Sequence, residues 1–333
     1  QICRVQRPVL DSVRPGDLDI YVGIPFCTSR CAYCSFYAAK TSRDGTLEEA
    51  YVDALLREWD ALRPVMAAHR IRSVYIGGGT PTALSEPLLA RVLERVAPAA
   101  QGVEFSVEAG RPDSITREKL EVLRKHGISR ISINPQTMNQ STLDIIGRRH
   151  TVEQTVEAFH LARELGFDDI NMDLIVGLPG EEYEQVEHTM KEVTALDPDS
   201  ITVHSLAVKR AARLNMFKDQ YKEMTFTNNQ QIMEITARYA YQAGHSPYYL
   251  YRQKNMAGNF ENVGYAKPDS AGIYNILIME EKQSILALGA GATSKKVSGE
   301  LIERTENVKD IKNYVERIDE MIERKRLLME TDS

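Results

Sequence analysis

The residues best suited to chemistry are cysteines, and three of the four sit together. Cys27, Cys31 and Cys34 fall within eight residues, in Pro25-Phe-Cys27-Thr-Ser-Arg-Cys31-Ala-Tyr-Cys34, while Cys3 lies apart and reads as an ordinary thiol. A secreted disulfide framework spreads an even set of cysteines along a chain. This clustering points instead to an inorganic centre in a reducing compartment. A [4Fe–4S] cluster normally takes four thiolates, so three would leave one iron open to a substrate or cofactor. A zinc site of three Cys and one His is an alternative, weakened because the nearest histidine in sequence is His69. A redox dithiol would leave the third cysteine idle.

The elements that must position this loop follow a strand-then-helix rhythm, repeated six times between about residues 18 and 208. Apolar runs at Asp19 to Pro25, Ser73 to Gly77, Val103 to Glu108, Arg130 to Asn134, Asp169 to Val176 and Ser200 to Leu206 read as strands. Helical patterns lie between them: Leu47 to about Ala68, Glu86 to Val96, Thr116 to His126, a pair near Ser141 and at Val152 to Leu165, and Glu181 to Leu196. Parallel strands need helical crossovers, so the alternation predicts a parallel sheet. The runs look continuous rather than alternating, as expected for strands covered on both faces. Six units predict an α/β fold, a partial (β/α)6 barrel with chemistry on the loops after the strands. A doubly wound open sheet is the second choice.

Three regions are expected: an N-terminal segment 1–17, the barrel 18–215, and a smaller C-terminal α+β domain 216–333. In the last, residues 216–245 read as helical, a Tyr-, Asn- and Gly-rich loop runs from His245 to Asp269, and two apolar runs follow. A helix near Val308 to Leu328 ends the pattern, with Ile311, Tyr314, Ile318 and Ile322 at core spacing. Of the 333 residues, 43% are hydrophobic and 26% charged, which excludes disorder as the dominant state. The net charge of −6 argues against a general nucleic-acid binder. No stretch reaches the roughly 18 apolar residues of a membrane span. The opening QICRVQRPVLDSVRPGD lacks a signal-peptide core, so a cytoplasmic location is expected. The chain begins at Gln1 rather than Met, which leaves open that it is a fragment of a longer one.

Cys-x3-Cys-x2-Cys after the first strand of a six-unit βα chain resembles the signature of the radical S-adenosylmethionine (SAM) superfamily. The resemblance implies a [4Fe–4S] cluster on Cys27, Cys31 and Cys34, with SAM bound at the open iron and cleaved to a 5′-deoxyadenosyl radical. Tyr33 within the loop is typical. Tyr75-Ile-Gly-Gly-Gly-Thr-Pro-Thr82, containing Gly78, Gly79 and Thr80, looks like the glycine motif that lines the SAM amino group. Glu108 in VEAGRPD resembles the acid that contacts SAM. Gln136, Arg148, Asp173 and Ala207 occur in the order seen in oxygen-independent coproporphyrinogen III oxidases, where residues at these places hold one SAM and a second. Tyr21 matches a tyrosine near the first SAM. The segments YYLYRQKNMAGNFENVGY and LALGAGATS look like the HemZ-type coproporphyrinogen dehydrogenase branch.

The chain departs from both better-understood subgroups. Phe36 stands where the longer oxidases have a fourth cysteine, and the His-Asn-x-x-Tyr-Trp haem motif of the chaperones is absent. The resemblance implies an oxidoreductase that decarboxylates two propionates of coproporphyrinogen III to vinyl groups. The partners are then a porphyrinogen or haem-like molecule and a flavodoxin- or ferredoxin-type electron donor. A haem-binding chaperone that keeps the SAM/[4Fe–4S] site and a haem-degrading radical SAM enzyme are the alternatives. Arg111, Lys209, Arg210 and Arg213 are candidate cations for the carboxylates. Taken singly, each reads more readily as a solvated surface charge, though as a group near Ala207 they merit a test, and His204 is given no role. Tyr248, Tyr249 and Tyr251 could face the macrocycle or simply pack at a domain boundary.

Overall fold

The computed structural model describes residues 1–36, 38–207, 212, 214, 221, 224–252, 258 and 260–330. Lys209, Arg210 and Arg213 lie outside the described residues.

The chain opens with α1 (Ile2–Leu10), which the sequence reading had left as an unassigned segment. The repeating units then run β1 (Asp17–Ile24), α2 (Thr46–Ala67), β4 (Arg70–Gly78), α3 (Glu86–Val96), β5 (Glu104–Gly110), α4 (Arg117–Lys125) and β6 (Arg130–Ile133). They continue with α5 (Gln140–Ile145), α6 (Val152–Glu164), β7 (Ile170–Val176), α7 (Tyr183–Leu196) and β8 (Ser200–Ser205). Two short strands, β2 (Phe26–Cys27) and β3 (Ala39–Lys40), brace the cysteine loop as a separate pair. Local signals set the helix starts. Thr116 accepts from Lys119 N, and Thr151 with Gln154 forms a reciprocal capping box.

The C-terminal part adds α8 (Gln230–Gln242), β9 (Ser246–Tyr251), β10 (Asn262–Ala266), α9 (Ile273–Met279) and β11 (Ser284–Leu288). It ends with the hairpin β12 (Thr293–Ser298) and β13 (Leu301–Glu306), then α10 (Ile311–Glu316) and α11 (Ile318–Glu330). The single terminal helix expected from the sequence is interrupted at Arg317, whose backbone leaves the helical region. The helix expected over 216–245 is described at Gln230–Gln242, started by the Asn229 side chain accepting from Ile232 N.

Among the described residues the main sheet has eleven strands in the order β13-β12-β11-β1-β4-β5-β6-β7-β8-β10-β9. The six repeating strands are parallel neighbours, β11 joins β1 in parallel, and β10 runs antiparallel to β8. The sheet is an open βα barrel. The C-terminal strands extend it at both edges rather than forming a separate sheet.

The strands are buried on both faces, yet they are not apolar on both. Outward residues such as Phe105, Val107, Ile170, Met172, Ile201 and Val203 enter the helix-covered core. The alternate residues Ser106, Glu108, Asn171, Asp173, Thr202 and His204 line an inner chamber. The runs look continuous in sequence because small or polar residues are scattered through them. The fold separates the two sets by the two-residue period. Among the described residues, no helix is long and apolar enough to cross a membrane.

One buried polar knot ties the last helix to the rest. Glu58 and Lys325, both fully buried, form an ion pair. Glu58 also accepts from Gly289 N at 2.9 Å, Asn307 Nδ2 at 2.9 Å and the Tyr314 hydroxyl at 2.5 Å. Truncating Lys325 to Ala leaves a buried carboxylate without its cation. Chemical unfolding is therefore expected to report a loss of about 3–5 kcal/mol for Lys325→Ala, part of it recovered by pairing Lys325→Met with Glu58→Gln.

Candidate functional site

The site begins where β1 and β4 end side by side. Gly79 N donates to Ile24 O at 2.8 Å, and Thr80 N donates to Phe26 O at 2.8 Å. This seam presses the glycine turn against the start of the cysteine loop. A Cβ on Gly79 would stand 2.6 Å from Phe26 O and 3.0 Å from Cys27 Sγ, so a side chain does not fit there without main-chain movement. The loop is closed by Ala39 N to Pro25 O at 2.9 Å and Thr41 N to Cys27 O at 3.2 Å. Ala32 N donates to Ile146 O at 2.8 Å, anchoring the middle of the loop beyond β6.

Cys27, Cys31 and Cys34 wall one cavity of about 360 Å³, with Tyr33, Gly79, Thr80, Gln136 and Arg148. Among the described residues, no three His, Cys, Asp or Glu side chains converge on one ion-sized point. Thiols spread along a cavity wall suit a multi-atom centre plus a ligand. Burial pushes the Cys27 and Cys34 thiols up from their ordinary value, so binding iron there expels protons. Thr80 Oγ1 lies 3.5 Å from Cys27 Sγ. Two guanidinium groups approach Cys31 Sγ, Arg111 Nη1 at 3.3 Å and Arg148 Nη1 at 4.0 Å.

Gln136 is the strained residue of this wall, with φ +68 in the left-handed region. Its backbone is pinned to β7 by Gln136 N to Asp173 O at 3.0 Å and Ile175 N to Gln136 O at 2.9 Å. Such strain costs on the order of 1 kcal/mol, offset by those two bonds. The Gln136 Oε1, Asn134 Oδ1 and Arg148 Nε atoms are buried with no hydrogen-bond partner. All three residues line the thiol cavity.

Two further cavities adjoin. Phe36 also lines a space of about 220 Å³ with Tyr21, Gly78 and Ala290. Tyr21 in turn lines the inner chamber, about 250 Å³, with Tyr75, Glu108, Asp173, His204, Tyr251 and Tyr274. Tyr75 is sandwiched between Tyr21 and Tyr274, with ring centres 6.2 and 4.5 Å away. Burial and the neighbouring Asp173 push the Glu108 carboxyl up to about 7, against the Tyr75 hydroxyl that donates to it at 2.5 Å. Burial also works to raise Asp173, but His204, Asn171 and Thr202 hold it below the usual carboxylate range. His204 Nε2 sits 3.7 Å from Asp173 Oδ2, and its Nδ1 is 3.2 Å from the Tyr251 hydroxyl.

The residues singled out in sequence therefore fall into three adjoining spaces. The thiol cavity holds Cys27, Cys31, Cys34, Tyr33, Gly79, Thr80, Gln136 and Arg148; Gly78 and Tyr21 line the second; Tyr21, Glu108 and Asp173 line the chamber. Ala207, just past β8, lines none of them. Arg111 is not an outward cation: it is 2% exposed and turned to Cys31 and Asp113. Tyr248 is packed away from the chamber, whereas Tyr249 and Tyr251 line it. Sequence reasoning missed His204, although its place two residues after Thr202 on a strand puts both on one face.

A family model of the radical SAM superfamily matches residues 21–193. The chain belongs to the radical SAM superfamily. It is 43% identical to the oxygen-independent coproporphyrinogen-III oxidase-like protein HemZ of Bacillus subtilis (strain 168), over 93% of this chain and 63% of that protein. It is 35% identical to the heme chaperone HemW of the same organism, over 57% of this chain and 50% of that one. The coproporphyrinogen III oxidase HemN of Escherichia coli, described as a radical SAM enzyme, superposes with a TM-score of 0.74 at 25% identity, covering 97% of this chain and 73% of that chain. The chain thus spans about half to two thirds of these curated relatives' lengths.

Members of this superfamily use a [4Fe–4S] cluster and SAM, and these are the cofactors of this chain. The residues present fit them: three thiols on one cavity wall, and a glycine cradle without room for a Cβ beside Cys27. Two outcomes follow. Gly79→Ala is expected to lose most of its iron uptake on anaerobic reconstitution, measured as bound iron and sulfide. Should Glu108, ionised above about pH 7, contact SAM as a carboxylate, SAM affinity is expected to fall about tenfold per pH unit below 7. Calorimetric titration of Glu108→Gln is expected to show weaker binding without that pH dependence.

Proposed function

We propose that this protein is a radical SAM oxidoreductase that converts two propionates of coproporphyrinogen III to vinyl groups, giving protoporphyrinogen IX in anaerobic haem biosynthesis. The observation that carries the reading is the single cavity walled by Cys27, Cys31 and Cys34 together with Gly79, Thr80, Gln136 and Arg148. The tetrapyrrole substrate rests on the likeness to relatives named as coproporphyrinogen III oxidases.

Each propionate loses carbon dioxide and one β-hydrogen, with net removal of two electrons, to leave a vinyl group. The bound cluster and SAM supply the one-electron chemistry needed to take hydrogen from an unactivated carbon.

The chain's own residues bind and orient. Cys27, Cys31 and Cys34 hold the cluster. Gly78 and Gly79 let main chain approach SAM, and Thr80 steadies the turn beside Cys27. Gln136 and Arg148 meet SAM on the thiol side. Tyr33 lies with them on the thiol side; Tyr21, Glu108 and Asp173 surround the remainder, with Ala207 at the rim as part of a second SAM place. The Glu108 and Asp173 pair divides labour: one carboxyl is poised near neutrality and the other is held ionised. A porphyrinogen would enter from the rim, and a flavodoxin- or ferredoxin-type donor would supply the electron to the bound cluster. Clustered thiols that must stay reduced suit a cytoplasmic setting.

Anaerobic incubation with dithionite, SAM and coproporphyrinogen III tests the reading. Protoporphyrinogen IX and 5′-deoxyadenosine are expected from the wild type, with neither product from Cys31→Ala. Deoxyadenosine without decarboxylation beside a stable haem complex would instead favour a chaperone. Ring-opened product would favour haem degradation.

A further inference from the structure

Cys31 has an unusual neighbour. Arg111 leaves the end of β5 beside Gly110, which has φ +61, and turns inward rather than toward the rim. It is 2% exposed. Its Nη1 donates to Cys31 Sγ at 3.3 Å and to Ser29 O at 3.2 Å. Its Nε and Nη2 donate to Asp113 Oδ1 at 3.0 Å and Oδ2 at 3.2 Å. Asp113 is itself held by the Thr28 hydroxyl at 2.9 Å. The guanidinium is thus locked between the Cys27–Cys31 turn and a carboxylate two residues along its own chain. Against burial, Arg111 keeps Asp113 below the usual carboxylate range, so the clamp is ionic.

This geometry removes Arg111 from the pool of cations open to a substrate. Every nitrogen of its fork is engaged, and one engagement is with a thiol sulfur. The assignment of the cluster to Cys27, Cys31 and Cys34 is the reading on which the next step rests. Adding an electron to an iron–sulfur cluster adds negative charge to its sulfurs. A fixed N–H donor and a cation in a low-dielectric wall stabilise that charge and make reduction easier. Asp113 partly cancels the cation. We infer that Arg111 sets the reduction potential of the cluster through Cys31, with Asp113 as the counterweight that limits the effect.

The two residues predict shifts of opposite sign, which a role in packing alone would not give. The test is a potentiometric titration of the anaerobically reconstituted chain, followed by electron paramagnetic resonance of the reduced cluster with dithionite as reductant. Arg111→Gln is expected to lower the midpoint, shifting the reduced-to-oxidised ratio at fixed potential about tenfold, or ~59 mV for one electron. Asp113→Asn is expected to raise it, because the guanidinium charge is no longer balanced. Arg111→Lys keeps the charge and is expected to stay between Arg111→Gln and the wild type. Arg117→Gln, in an exposed ion pair with Glu164, is expected to leave the midpoint unchanged.

An unshifted midpoint in Arg111→Gln, or a fall in both Arg111→Gln and Asp113→Asn, overturns the inference. Where Arg111→Gln does not take up iron, the signs of Arg111→Lys and Asp113→Asn decide. A Cys31→Ala variant that assembles the full cluster with an unaltered spectrum overturns the ligand assignment. Its failure to assemble the cluster, next to an unshifted Arg111→Gln, overturns only the role of Arg111.

Discussion

Everything at the site hangs on two main-chain hydrogen bonds, from Gly79 and Thr80 to the carbonyls of Ile24 and Phe26. They join the ends of β1 and β4 past the point where the regular ladder stops. They form because Gly79 has no Cβ; with one, Phe26 O and Cys27 Sγ would be displaced. The cysteine loop therefore leaves β1 along a fixed course, and the first thiol faces the same space as Gln136 and Arg148. Parallel strands bring all their carboxyl ends to one rim, but the seam decides which backbone meets which sulfur.

Below the rim the barrel is polar inside. Alternate residues of β5, β7 and β8 present Ser106, Glu108, Asn171, Asp173, Thr202 and His204 to a chamber rather than to a packed apolar centre. Burial drives Glu108 toward its neutral form, while the hydrogen bonds around Asp173 keep that group charged. The two carboxyls are set apart by surroundings alone. Such a pair tolerates a single negative charge better than two.

The local features were legible in the chain. Three cysteines in eight residues, a glycine run after a strand, and carboxylates at strand ends are written in consecutive residues, and the βα rhythm follows from hydrophobic spacing. What was hidden depends on pairs far apart in sequence. The left-handed Gln136 arises from its attachment to β7, and nothing in SINPQTM announces it. His204 gains meaning from Asp173 on one side and Tyr251 on the other, which requires the strand register. Arg111 reads in sequence as a surface cation because an arginine after a strand gives no sign of facing inward; Thr28, Ser29 and Asp113 decide that. The alternation inside the strands escaped notice for a related reason: serine, threonine and asparagine do not break an apolar run strongly enough to show two faces.

The knot around Glu58 reaches further than stability. Tyr51 donates to Gly23 O at 2.6 Å and accepts from Ala290 N at 3.0 Å, while Glu58 grips the amide of Gly289 next to it. Gly23 precedes the cysteine loop by four residues, and Ala290 shares a cavity with Phe36. The distant α11 thus serves as a backstop for the cavity beside Phe36. A fusion, tag or cleavage that unseats this helix would reshape that space without touching any of the three clustered cysteines.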